Sequence, residues 1–183
     1  MHNFLRDWGA PGARTPPAGW GAKPVTLVDA VTLVDAEAFC AWAGKRLPQD
    51  YEWQRAMQGD DGRAYPWGPA FNQSCVPPQQ QGAVRGAPPD VGNGVAGCAS
   101  PFGAQDAIGT VWQWTSEFAD ERTRVGLIRG GSYYAPQGSQ WYPQNDARDP
   151  THTSLLSHNQ LRLMDASYDR HGTVGFRCVV DAQ

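Results

Sequence analysis

His152 and His158, with Asp146 and Asp149 close by, are side chains of this 183-residue sequence that could hold a transition metal. Two imidazoles and a carboxylate form a facial donor set suited to non-haem iron. They fall in a polar segment where spacing fixes no geometry, so a solvated polar loop is the reading favoured there. The same segment gathers Tyr133, Tyr134, Gln137, Gln140, Trp141, Tyr142, Gln144, Asn145 and Arg148. Aromatic faces interleaved with amides suit a surface that takes a small polar ligand, a sugar or a peptide. An aromatic loop folded onto its own core is the competing reading. Cys40, Cys75, Cys98 and Cys178 are too far apart for a zinc CxxC arrangement and too few to define a disulfide scaffold, which leaves their redox state open. Gly92-Asn-Gly-Val-Ala-Gly97 spells GxGxxG, but no strand leads into it and no helix follows, so it reads as loop glycine. Asn72-Gln73-Ser74 has the form of a glycosylation acceptor, relevant only in an exported chain. No GxSxG accompanies Ser132, which reads as a backbone feature.

The elements that must position these groups centre on Gly109-Thr110-Val111-Trp112-Gln113-Trp114-Thr115, followed by Arg129-Gly130-Gly131-Ser132. In an extended segment Trp112 and Trp114 share one face, because strand side chains alternate with period two. The Gly-Gly pair marks a bend or a close backbone approach. Asp35 before Ala36, Phe39, Cys40 and Ala43 predicts a short amphipathic helix with Asp35 as N-cap and Gly44 as its stop. Tyr51, Trp53, Ala56 and Met57 predict a second helix ending at Gly59. Strands are expected at 125–128 and 174–180, with long loops over 69–100 and 133–160. Residues 1–24 read as an irregular arm on a single domain spanning 1–183. The hexapeptide 25–30 recurs unchanged at 31–36, which is too short for a solenoid unit and reads as a local duplication.

Twenty-one Gly and 15 Pro make the chain loop-rich, while eight Trp argue for a dense aromatic core and against disorder. A net charge of −3 and a pI near 5.7 give no electrostatic footprint for nucleic acid or an anionic membrane. No apolar run is long enough to span a bilayer and no signal segment opens the sequence, so a cytoplasmic location is the default expectation.

In order along the chain stand Cys40-Ala-Trp-Ala-Gly-Lys-Arg-Leu-Pro48, Glu52-Trp53, Tyr65-Pro-Trp-Gly68, Ser100-Pro-Phe-Gly103, Gly109-x-Val-Trp-x-Trp114, Arg129-Gly-Gly-Ser132 and Gly175-Phe-Arg-Cys178. This series resembles the formylglycine-generating enzyme, or sulfatase-modifying-factor, family over about residues 3 to 181. The resemblance implies an α+β, atypical C-type-lectin-like fold: a small twisted antiparallel sheet, two short helices and long loops. It also implies that the first strands of the family domain are missing, which would leave a sheet edge uncovered.

Several departures from the family pattern bear on chemistry. The aerobic oxidases of the family bind copper(I) through two cysteines shortly after the RGGS block, a soft-ligand arrangement. Ala135 and Gln140 stand in those places here. Where the family has Asn and Glu helping to hold a structural calcium, this chain has Thr110 and Gln113, which bring oxygens without carboxylate charge. The calcium site is therefore expected to be weakened or lost unless Asp106 or Asp120 compensates, and no other cofactor is expected. The resemblance further implies that Cys40 and Cys178 lie adjacent, as a disulfide or as buried thiols. Arg177, between aromatic residues, is expected to make a buried bidentate pair with a carboxylate.

These departures predict a non-copper relative acting as a ligand-binding or accessory module, a pseudoenzyme without catalytic residues. Two alternatives are a metal-dependent enzyme of the sulfoxide-synthase type, or a component of one, and a diversified binding protein of a retroelement.

Overall fold

The computed structural model describes residues 31–78, 80–82, 95–118, 125–136, 159–163 and 173–181. The N-terminal arm, the first copy of the hexapeptide repeat, Gly92 and Gly94, Asp120 and everything from Gln137 to His158 lie outside the described residues.

Helix α1 covers Leu33–Trp42 and α2 covers Asp50–Gln58. The N-cap of α1 is Thr32, not Asp35. The Thr32 hydroxyl accepts from the Asp35 amide at 2.9 Å, and the Asp35 carboxylate accepts from the Thr32 amide at 3.2 Å. This reciprocal capping box satisfies two amides that a helix start would otherwise leave unpaired, and it moves the boundary three residues earlier. Leu33, Ala36 and Cys40 form the buried face of α1. Helix α2 buries Trp53 and Met57 and stops at Gly59, whose φ of 72° is the left-handed region that glycine tolerates.

Six strands follow: β1 (Gln80–Gly82), β2 (Trp112–Phe118), β3 (Val125–Arg129), β4 (Tyr134–Pro136), β5 (Asn159–Leu163) and β6 (Val174–Phe176). The larger sheet has the order β5-β3-β2-β6, and β1 and β4 make a separate two-stranded sheet. The expectation of an antiparallel sheet is corrected here. β2 pairs antiparallel with β3 but parallel with β6, and β1 pairs parallel with β4. The reason is topological: β6 returns to the far edge of β2 in the same direction, which an antiparallel hairpin cannot do. The last strand is also shorter than 174–180, since Val179 leaves the sheet and bridges to Arg46.

Trp112 and Trp114 both enter one core cluster with Leu33, Cys40, Leu47, Ile128 and Val174. The fully buried Trp114 indole donates to the Val31 carbonyl at 3.0 Å, which meets the polar requirement of its ring. A second cluster joins Trp53 and Met57 to Tyr65, Val76, Ala107 and Ile108. Two disulfides, Cys40–Cys178 and Cys75–Cys98, use all four cysteines.

Arg46 ties the helices to the chain beyond β6. Its guanidinium donates to both Glu52 oxygens at 2.6 and 2.8 Å and to Asp181 at 2.6 and 2.8 Å. Hydrogen bonding from Arg46 holds the Glu52 carboxyl down at about 2, from an ordinary value of 4.5, against the opposing effect of its partial burial. Because this pKa is depressed on folding, the stabilisation is complete above about pH 4.5 and is lost as pH falls towards 2. Glu52→Gln should therefore flatten the acid limb of the stability profile. Urea midpoints at pH 6 and pH 3 should differ less in the variant than in the parent, and an equal difference would remove Glu52 from the acid response. A residual slope is expected from Asp61, which Arg63 hydrogen bonding also holds down at about 2.

Candidate functional site

The turn at 130–133 is the feature around which the described polar groups converge. Arg129 ends β3, and Gly130 and Gly131 follow with φ values of 96° and 71°. A Cβ on Gly130 would lie 2.5 Å from the Ala107 carbonyl oxygen and 3.3 Å from the Trp53 ring, so only glycine fits. The Gly109 amide donates to the Gly130 carbonyl at 2.8 Å, and the Tyr133 amide donates to the Thr110 carbonyl at 3.2 Å. The 109–110 corner thus grips the turn from beneath. Ser132 and Tyr133 are buried, and the chain passes from them directly into β4.

Gln113 on β2 stands below Gly130 and is buried. Its Oε1 accepts from the Trp53 indole at 2.9 Å and from Arg177 Nε, while its Nε2 donates to the Asp106 carbonyl at 3.1 Å. Asp106 has a φ of 54°, which turns its carbonyl towards this amide and towards Arg177. Arg177 Nη2 donates to the Gln105 carbonyl at 3.1 Å. The carboxylate pair expected for Arg177 is replaced by an amide and main-chain carbonyls. Burial accordingly pulls its guanidinium down to about 10, with the charge of Asp106 opposing the shift.

The bidentate carboxylate pair belongs instead to Arg129. Its Nε and Nη2 donate to the two oxygens of Asp50 at the start of α2, with Gln54 Oε1 a further acceptor at 3.4 Å. This pair is largely out of solvent, with side-chain exposures of 4% for Arg129 and 16% for Asp50. It fixes the first residue of the RGGS block to α2.

The sequence-predicted site residues divide clearly. Thr110, Trp112, Gln113, Trp114, Ser132 and Tyr133 are buried around or beneath the turn. Tyr134 and Ala135 lie in β4, with Ala135 in register with Gln81 of β1. Gln137, Gln140, Trp141, Tyr142, Asn145 and Arg148 lie outside the described residues, as do Asp146, Asp149, His152 and His158. Among the described residues no group of three His, Cys, Asp or Glu side chains gathers to hold a metal, and no helix is long and apolar enough to cross a membrane. Sequence reasoning missed the Asp50–Arg129 pair, the Trp53–Gln113–Arg177 network and the Cys75–Cys98 bond. The even cysteine count was the available signal for the last of these.

The family model for the sulfatase-modifying factor enzyme 1-like domain matches residues 12–182. Hercynine oxygenase of Mycolicibacterium thermoresistibile is 44% identical over 97 residues, covering 51% of this chain and 21% of that protein. The inactive C-alpha-formylglycine-generating enzyme 2 of Bos taurus is 32% identical over 162 residues, covering 83% and 49%. Formylglycine-generating enzyme of Mycobacterium tuberculosis is 35% identical over 186 residues, covering 82% and 56%. The chain therefore spans between about a fifth and somewhat over half of these relatives. The crystal structure of CarF matches with a TM-score of 0.50 at 21% identity, over 76% of this chain and 48% of that one, which is a likeness of fold.

These relatives overturn the expectation of a non-catalytic ligand-binding or accessory module, and with it the description as a pseudoenzyme. Two are named for catalysis, at 44% and 35% identity against 32% for the relative named inactive. Ala135 and Gln140, where the resemblance implied thiolates, argued against one oxidation chemistry and did not argue against catalysis as such.

Proposed function

The chain belongs to the sulfatase-modifying factor enzyme 1-like family, and from that membership we propose that it is part of a metal-dependent oxygenase of the sulfoxide-synthase type, acting on a hercynine-like substrate. The observation that carries this reading is the 44% identity to a hercynine oxygenase. The C-type-lectin-like description of the fold enters with the same proposal.

Copper held by thiolates does not fit this chain. Ala135 and Gln140 offer no thiolate, and all four cysteines are engaged in disulfides. No step is derived through copper. Imidazole and carboxylate donors suit iron instead. His152, His158, Asp146 and Asp149 are donors of that kind that stand close together in this sequence, and a longer protein would supply others. Bound iron would supply the activation of dioxygen. The chain's residues would hold a polar substrate through Tyr133, Tyr134, Gln137, Gln140, Trp141, Tyr142, Asn145 and Arg148, on a turn kept rigid by Gln113 and Arg129. For calcium we infer a weakened site, because the Gln113 oxygen already accepts two N–H groups, one of them from a guanidinium.

Iron(II) loading followed by elemental analysis and oxygen uptake tests the reading. Retention of about one iron per chain and uptake that depends on hercynine together with a small thiol are expected. Replacing His152 and His158 by alanine should abolish iron retention. Failure to retain iron, with no substrate-dependent uptake, would overturn the proposal.

A further inference from the structure

We propose that the Arg177 guanidinium is the resident cation of the corner beneath the RGGS turn, seated among oxygens that would otherwise hold a metal ion, and that it keeps calcium out of this corner. The inference deepens the calcium reading given above and is independent of iron and of the substrate groups.

Three oxygens converge on this side chain. Gln113 Oε1 accepts from Arg177 Nε, and the Gln105 and Asp106 carbonyls accept from Nη2 at 3.1 and 3.5 Å. The backbone sets this convergence. Gln113 lies opposite Gly175 in the parallel ladder of β2 and β6, and Arg177 stands two residues beyond Gly175, on the face that strand alternation gives to both. Asp106, with its φ of 54°, holds a conformation that few residues other than glycine adopt, and that conformation aims its carbonyl at the guanidinium.

Two main-chain carbonyls and a side-chain oxygen are donors of the kind calcium takes, short of the carboxylate charge it also wants. Guanidinium is the cation these oxygens hold instead. Burial lowers its pKa only to about 10, with the charge of Asp106 opposing the shift, so Arg177 stays protonated at neutral pH.

Its presence excludes calcium on two grounds. Gln113 Oε1 already accepts from Arg177 and from the Trp53 indole at 2.9 Å, which engages both of its lone pairs. An ion bound to that oxygen would also stand beside a like charge, and Gln113 is buried where water screens little. The amide closes the corner from its other end, since Gln113 Nε2 donates to the Asp106 carbonyl at 3.1 Å. A glutamate at 113 would lose that bond and set a carboxylate oxygen against the carbonyl, an arrangement that needs a cation between them. With Arg177 in place the guanidinium supplies it; without Arg177 the position opens to calcium.

Thermal melts of the full chain with and without calcium test the assignment, with sodium chloride of equal ionic strength as the reference. The parent should melt within about 1 °C of the same temperature in a calcium chelator and in about 10 mM calcium. Gln113→Glu alone should behave in the same way, because its carboxylate pairs with Arg177. Gln113→Glu/Arg177→Met should gain about 3 °C or more from that calcium, saturably, since it has the oxygens and a carboxylate but has lost the internal cation. If the double variant does not fold, the parent and Gln113→Glu decide the matter. Calcium stabilisation of the parent or of Gln113→Glu beyond about 1 °C, or a folded double variant indifferent to calcium, would each overturn the assignment. Iron retention and oxygen uptake are not read in these melts, so the oxygenase reading can fail while this result stands.

Discussion

Replacing Cys40 and Cys178 together by alanine should lower stability by about 5 kcal/mol, the chain-entropy value for a loop of this length. The bond closes a sequence separation of 138, so nearly the whole described domain lies inside the loop it cuts from the unfolded ensemble. At about 2–4 °C per kcal/mol for a domain of this size, the melting temperature should fall by roughly 10–20 °C. The same relation gives about 3.5 kcal/mol for the shorter Cys75–Cys98 loop, so the two double variants should rank in that order. Thermal melts followed by tryptophan fluorescence, with and without reductant, make the comparison. The parent protein in excess reductant should fall below either variant measured without it. Equal losses from the two pairs would show that strain or residual structure, not loop length, sets the contribution.

Arg129→Met is the second large effect. The substitution keeps the length and apolar character of the side chain but leaves the Asp50 carboxylate without its bidentate partner in a mostly desolvated place. Breaking a buried pair from one side typically costs about 3–5 kcal/mol, and the residual access of Asp50 to water argues for the lower end, about 3. The loss comes mainly from the stranded carboxylate, since exchanging both partners for apolar groups is often neutral. Arg129→Met/Asp50→Leu should therefore recover at least about half of the deficit. Denaturant midpoints of the three variants measure this, and a double variant no more stable than Arg129→Met would locate the effect outside the pair. The single variant should also loosen the RGGS turn, because Arg129 is its first residue.

The parts of this arrangement that could be read in the sequence are those set by local rules. Trp112 and Trp114 share a buried face because strand periodicity requires it, and the second helix ends at Gly59 because a left-handed residue is needed there. Thr32 could have been found as well, since Thr-x-x-Asp is a capping-box pattern. Asp35 directly precedes the apolar spacing of Ala36, Phe39, Cys40 and Ala43, which pointed to it as the cap, whereas in the capping box it is the third helical residue. The network beneath Gly130 was not legible. Gln113 meets Trp53 across 60 positions and Arg177 across 64, and no local pattern encodes which distant donors an amide will find. Arg129, and not Arg177, makes the bidentate carboxylate pair for the same reason: the acceptor that a guanidinium grips is set in space, not in sequence. The parallel placement of β6 likewise follows from packing on Trp112 and Cys40, which composition does not reveal.

The parallel pairing of β6 with β2 sets an order of events during synthesis. Trp112 lies opposite Val174, which follows it by 62 positions in the sequence. At about 5–20 residues per second, β2 waits roughly 3–12 s after its own synthesis before its neighbour exists. During that interval the β2 edge and the tryptophan face beneath α1 stand open, while Cys40 lacks its partner and Cys75 already has Cys98. The short disulfide can therefore form on the nascent chain and the long one only after Cys178 clears the ribosome, so this domain is completed by its last strand and cannot mature from its beginning.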